Sequence, residues 1–550
     1  MTLIPTMTIP SLLTEQMIAR YTEAGYWGSM TLADHLDHHS AYRPDREAVV
    51  DSRRRVTFRE LKLATDRIAL AMIDLGIRPG DCVVLQTPNW VEYFYVRLAC
   101  AKMGAIPVPQ IFSVREHEIE GAMRRSNAVA FFFCSEFHGF DYVEMARTLR
   151  PRLPGVRHWI AMGGPRVEGM GWLEDMLADP VETRSPPGLL LAYHPSANDI
   201  DILMSTSGST GEPKFVLRTP NVFLTLGHHI VERARLSPDD VVLAVAPINQ
   251  GTGYSVALVA ALIAGCRNVL LDRFDADAAL ELIARERVTV AVGVPTHMIK
   301  MMNSPKVGKA DLSSLRLFYH AGAPLAPDAA AVFARRIGCH LMEAYGALDG
   351  GTPVHTIYDD PPEKTFNTVG KPCAGMELRI VGDDGAPLPA NEIGEVVYRG
   401  PNCAVGLLND PNHSFDAEGW FRSGDLGVLD DEGYLRIVGR KKNIIIRGGQ
   451  NISPREVEDA LISHPKVLDV AVVKMPDPVL GEKACAFVVP RPGQAMTVED
   501  CFEFLVSRQF AKYKVPEHVE NVTEFPLLPN GKVDRKQLEA QILLRLNEGR

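Results

Sequence analysis

From about residue 47 the chain alternates short β-branched runs with helical stretches, and it does so until about residue 320. FRELKLATDRIALAMIDLG (58–76) repeats apolar residues at helical spacing, DCVVLQT (81–87) reads as a strand, VEYFYVRLACAKMGA (91–105) is helical again and IPVPQI is extended. A second series runs through VVLAVAP (241–247), the apolar helix VALVAALIAG (256–265), NVLLD, AALELIARERV, TVAVGV and LRLFYHAG. Strands that alternate with helices need crossover connections, so parallel sheets with right-handed crossovers and both faces covered are predicted. At 550 residues the chain exceeds one ordinary core, and at least two domains are expected.

After about residue 370 the texture changes. MELRIV, GEVVYRG and YLRIVGR are short strands separated by Gly, Asp, Asn and Pro, which predicts an antiparallel region. Beyond residue 440 comes a smaller α/β segment: the helix SPREVEDALISHP with Ser453 at its start, the strands LDVAVVKM and ACAFVVP, and the helix VEDCFEFLVSRQF. The expected fold class is α/β, with a large N-terminal domain (1–440) of layered α/β subdomains plus a β-rich subdomain, and a small mobile C-terminal α/β domain (441–550). The boundary is placed at GRKKN (439–443), and no internal repeat or low-complexity linker interrupts the pattern.

A formal net charge of −10 argues against a nucleic-acid partner, which would favour a basic face. Nine cysteines lie far apart with no CxxC pair, which predicts a reducing, cytoplasmic setting with neither a disulfide framework nor a zinc site. MTLIPTMTIPSLL lacks a basic region followed by an apolar core, so no signal peptide is expected, and 256–265 is too short to span a bilayer. Monomer and homodimer are both open.

STSGSTGEPKFV (205–216) packs small hydroxyl residues and two glycines before a lysine. A P-loop would need a glycine before Lys214 and a hydroxyl after it, and neither is present. A Gly/Ser turn is the common reading of such a run. Here the strand-like IDILM precedes it, and exposed backbone N–H groups, hydroxyls and one ammonium together make an anion nest.

STSGSTGEPK resembles the phosphate-binding loop of the acyl-adenylate-forming enzymes, the superfamily of acyl-CoA synthetases, adenylation domains and luciferases. Four further stretches resemble that family's motifs in the right order: AYGALDG (344–350), WFRSGDLG (420–427), GRKKNIIIRGGQNISPREVE (439–458) and PNGKVDRK (529–536). The resemblance implies that ATP activates a carboxylate as acyl-AMP with loss of pyrophosphate, and that a thiol then takes the acyl group. It implies that Thr206, Ser207, Gly208, Ser209, Thr210, Gly211 and Lys214 hold phosphates, and that Gly322 and Ala323 of HAGAPL (320–325) pack with Tyr345 on adenine. Asp425 would accept from the ribose hydroxyls, Arg440 would bind ribose or phosphate, and Lys532 would bridge carboxylate, ribose and α-phosphate. Magnesium is implied, held directly or through water by Thr206 and Asp349. Asp349 stands where the family usually has glutamate, and a bridging water could make up the missing methylene. Read as bare sequence, GKVDRK equally suits a surface basic tail, SGD an ordinary loop and Asp349 a turn residue before two glycines.

Asn443 occupies the family's hinge position, usually aspartate or lysine; asparagine keeps the backbone freedom but not the charge. Gly448 and Gly449 would let a pantetheine arm pass close to backbone. Asn249, Gln250 and Gly346 fall where the family lines its acyl pocket, Gln250 replacing a histidine. Three readings stay open. The first is an acid:CoA ligase acting on an alicyclic, aromatic or medium-chain acid such as cyclohexanecarboxylate or benzoate, with ATP and CoA as cosubstrates. The second is a stand-alone aryl acid-AMP ligase loading a separate carrier protein, no carrier domain being expected after RLNEGR. The third is a nucleotide-binding regulatory protein whose catalysis has decayed.

Overall fold

A computed structural model describes residues 11–205, 214–408, 415–528 and 532–548. Among these the largest sheet has nine strands. From one edge they are Lys371–Pro372, Gly351–His355, His340–Ala347, Leu317–Ala321, Val290–Gly293, Val241–Ala244, Arg267–Leu270, Glu47–Val50 and Arg55–Thr57. The six strands from His340–Ala347 to Glu47–Val50 run parallel; the others pair antiparallel at the two edges. A second, parallel sheet is ordered Ile106–Ile111, Cys82–Thr87, Ala130–Cys134, His158–Met162 and Gly171–Trp172. The alternation of apolar runs and helical stretches therefore produces the parallel sheets expected of it.

The main core lies between these sheets. Every residue of the helix Val91–Met103 is buried, and its Arg97 is ion-paired there with Asp201 and donates from Nε to the hydroxyl of Tyr254 at 2.8 Å. A buried charge of this kind is tolerated only when it is paired. The apolar stretch read as an ordinary helix over 256–265 is wider than that: Tyr254–Ala260 forms π-helical turns that continue into Ala261–Ala264. It packs against the helix Pro220–Arg233 where Gly227 stands. A Cβ on Gly227 would come within 2.8 Å of Val259 and closer still to Ile263, so the approach of the two helices depends on that glycine.

Beyond these layers, Glu377–Val381, Gly394–Arg399, Phe421–Leu429 and Leu435–Arg440 form an antiparallel four-stranded sheet. The small C-terminal domain has its own sheet, in which Gly481–Pro490 is the hub, pairing with Val467–Asp477, with His518–Asn521 and, at Gly481, with Ile445–Arg447. Its helix Pro454–Leu461 starts where the sequence indicates, with the Ser453 hydroxyl accepting from the Glu456 N–H. All nine cysteines are buried, and burial pushes eight of the thiols up to about 12. No described helix is long and apolar enough to cross a membrane.

Candidate active site

In a parallel sheet the loops that leave the carboxyl ends of the strands form the natural ligand crevice. Three such loops carry residues picked out in the sequence. Gly322 and Ala323 follow Leu317–Ala321, Asn249 and Gln250 follow Val241–Ala244, and Asp349 lies in the turn after His340–Ala347. Thr206, Ser207, Gly208, Ser209, Thr210 and Gly211 lie outside the described residues, but the strands on either side of them are clear. Ile202–Ser205 and Phe215–Arg218 form an antiparallel hairpin with Ser205 opposite Phe215, and Lys214 is exposed at its end.

Asp425 is the centre of the described site. It is 7 % exposed and stands opposite Arg440 on adjacent strands of the four-stranded sheet. The Tyr345 hydroxyl donates to its Oδ2 at 2.8 Å, and Arg440 Nε donates to its Oδ1 at 2.5 Å. A carboxylate has about four acceptor positions, so room remains for two ligand hydroxyls. Burial, with the charge of Asp425 beside it, raises the Tyr345 pKa and keeps that phenol a donor.

Lys532 comes to this cluster from the small domain. Its Cε would stand 3.6 Å from a Cβ placed on Gly322. By surface area the residue as a whole is exposed. Burial first and the Arg440 charge second pull its pKa below the ordinary lysine value. Lys442 is lowered in the same way, by burial and by Arg440 and Lys536. A cavity of about 360 Å³ opens between Ser423, Gly424, Arg440, Lys441 and Lys442. Cations crowded around a cavity in this way favour an anion, and a polyanion most of all.

Asp349 is half-buried, close enough for its charge to act on Arg440, Lys442 and Arg218. A carboxylate is a hard oxygen donor, the kind that suits magnesium held largely by phosphate and water. Gly346 is required by close approach: a Cβ there would lie 2.2 Å from the Gly351 carbonyl, across the bulge where His340–Ala347 meets Gly351–His355. Asn249 is 2 % exposed, and its amide donates to the Gln110 carbonyl at 2.9 Å, joining its loop to the second sheet. Gln250 is half-buried at the start of the following helix. Asn443 ends a short 3-10 turn between the two domains' sheets. Gly448 and Gly449 form an exposed hairpin turn with φ of +55° and +84°, the pair of positive values a type I′ turn needs.

Two buried residues of the site region escaped the sequence reading. Arg218 is 2 % exposed, and burial lowers its pKa to about 10. Glu343 is 8 % exposed and is pushed up to about 8 by burial; the charges it feels, Arg455 and Asp459, come from the small domain. Both lie in or beside family-like stretches, Glu343 in the EAY before Gly346 and Arg218 in PKFVLRTPN, but sequence reasoning assigned neither a role. For Arg218 the available signal was a lone cation ending the apolar strand FVLR.

Known proteins show the same plan. The family model described as AMP-binding enzyme matches residues 36–408, and the AMP-binding enzyme C-terminal domain matches 456–532. A medium-chain fatty-acid–CoA ligase of Escherichia coli is 34% identical over 549 residues, covering 98% of this chain and 96% of the relative. A 2,3-dihydroxybenzoate-AMP ligase of Bacillus subtilis is 34% identical over 540 residues, covering 97% and 98%. The solved anthranilate CoA ligase AuaEII, in complex with anthranoyl-AMP, superposes with a TM-score of 0.85 at 26% identity over 94% of this chain and 98% of that one. With its order of motifs, its two-domain α/β architecture and these full-length matches, the chain belongs to the AMP-binding enzymes, the acyl-adenylate-forming family of acid ligases.

Proposed function

We propose that the chain is an AMP- and pyrophosphate-forming acid:CoA ligase, with large and small domains dividing near residue 440. The observation that carries this reading is Lys532 lying over Gly322, among Arg440, Asp425 and Tyr345. The substrate carboxylate attacks the α-phosphorus of ATP, the bond to pyrophosphate breaks, and acyl-AMP is left. Negative charge gathers at phosphorus during this step, so fixed cations stabilise it without reorganising. Lys532 reaches the carboxylate and α-phosphate, Arg440 and Lys214 meet phosphate, Asp425 holds the ribose hydroxyls, and Tyr345 packs on adenine with Gly322 and Ala323. Asp349 and Thr206 would hold magnesium, which screens the triphosphate when bound. In the second step a thiol attacks the acyl carbon and AMP leaves, with the Gly448–Gly449 turn offering the pantetheine path and Asn443 the hinge.

The acid we infer is uncharged beyond its carboxylate and either ring-bearing or of medium length. Residues 245–265, which include Asn249 and Gln250, carry no charged side chain, and Phe223 packs on Tyr254 with ring centroids 4.8 Å apart. Carrier-protein loading is the second reading, favoured by the likeness to the 2,3-dihydroxybenzoate-AMP ligase. The buried, scattered cysteines support a cytoplasmic setting. The test is AMP release from ATP with benzoate, cyclohexanecarboxylate, salicylate or octanoate, with and without CoA. CoA-dependent AMP release with an acyl-CoA product is expected; acid-dependent pyrophosphate exchange without any acyl-CoA would move the assignment to carrier loading.

A further inference from the structure

Arg218 is buried without a carboxylate partner at ion-pair distance among the described residues, and its Nε has no hydrogen-bond acceptor there. A guanidinium in this state is costly unless its remaining donors do something specific. They reach two backbone carbonyls, Leu348 at 2.6 Å and Asn402 at 3.3 Å. Leu348 immediately precedes Asp349. Asn402 begins the segment that is bonded to both neighbours. Its side-chain amide donates to the Thr352 carbonyl at 2.9 Å, and the Ala404 N–H donates to the Gly350 carbonyl at 2.8 Å. Further along that segment, the Leu217 N–H donates to the Gly406 carbonyl at 2.9 Å and the Leu408 N–H to the Phe215 carbonyl at 2.8 Å. Arg218 itself ends the strand that leaves the hydroxyl-rich loop. Three segments therefore meet at one guanidinium: the hairpin of that loop, the Asp349 turn and residues 402–408.

We propose that Arg218 is a positioning residue that locks the Asp349 turn to the strand Phe215–Arg218, so that the Asp349 carboxylate is held in place for a metal–nucleotide complex. This rests on the reading above that Asp349 and the loop together hold magnesium and ATP. The fork geometry of arginine suits two carbonyls on different segments, and a lysine ammonium cannot span them in the same way.

The test is calorimetric titration of the full-length protein with ATP, in excess magnesium and in a chelator, alongside the unfolding midpoint. Arg218→Lys is expected to weaken ATP binding in magnesium by about tenfold, the scale seen when a partner that orients a metal ligand is lost. Binding in chelator should stay within about twofold, and Arg218→Lys combined with Asp349→Ala should bind no more weakly than Asp349→Ala alone. If the lysine variant is unstable, Arg218→Met keeps the bulk without the donors and is judged by the same comparisons. Equal weakening with and without magnesium, or additive losses in the double variant, would overturn the proposal. Should Asp349→Ala leave the magnesium contribution intact, the metal reading of that carboxylate falls and this proposal with it. Should Asp349→Ala abolish that contribution while Arg218→Lys does not, only the role of Arg218 falls.

Discussion

At the level of single side chains, the cluster around Asp425 separates two kinds of contribution. Lys532 arrives from the small domain, and on the proposed mechanism it acts when charge develops at phosphorus. Lys532→Ala is expected to slow acid-dependent pyrophosphate exchange on the order of 10² to 10³-fold, as loss of a transition-state donor does. Conversion of supplied acyl-AMP to thioester should change by less than about threefold, since the proposed mechanism confines the amine to the first step. Equal loss in both assays would refute the division of labour. Tyr345→Phe removes one donor from a buried carboxylate and leaves Arg440 in place. A hydrogen bond to a charged group contributes about 1.5–3 kcal/mol, so the free energy of urea unfolding should fall by about that amount, and an unchanged value would contradict it. The presence of Asp425, Tyr345, Arg440 and Lys532 was legible because each sits in a motif of fixed spacing. Glu343 and Arg218 were not, because a charge buried by long-range packing leaves no local mark in the chain.

At the level of elements, the parallel strands, the antiparallel region after residue 370 and the Ser453 helix start could all be read from periodicity and capping. The bonding of residues 404–408 to Phe215–Arg218 could not, since it joins segments almost two hundred positions apart by backbone groups that every residue has. The π-helical turns at Tyr254–Ala260 were hidden for a related reason: an apolar run has the same composition at either helix pitch. Gly346 shows how strictly these elements fit. Gly346→Ala would put a methyl against the Gly351 carbonyl and is expected to destabilise the protein by about 2 kcal/mol or more in urea unfolding. Gly28→Ala meets nothing within 4 Å and should stay within about 0.5 kcal/mol. Similar effects at the two sites would disprove the close-approach argument.

For the molecule as a whole, buried ionisable groups set opposing pH limits. Burial raises Glu343 from 4.5 to about 8 and Asp459 from 3.8 to about 6, with Arg455, Glu458 and Arg436 the neighbouring charges. A carboxyl held this way binds its proton more tightly in the folded protein, so its support is complete below the unfolded value and is lost as pH rises through the folded one. His35, His229, His297 and His320 run the other way, held near 4 against 6.5 by burial. Their support is present above 6.5 and is lost as pH falls towards 4. Urea midpoints measured across pH should therefore peak at about pH 6, and Glu343→Gln should flatten the alkaline side. A flat profile, or an unchanged alkaline side in that variant, would contradict this account.

The concealed cysteines bear on the chemistry as well. A mixed anhydride acylates any accessible thiolate, and a protein that makes one endangers its own sulfur atoms. With every cysteine inside and eight thiols held to about 12, this chain has almost no thiolate to offer. The folded enzyme should thus be spared self-acylation at sulfur, and an incoming thiol meets no rival thiolate from within.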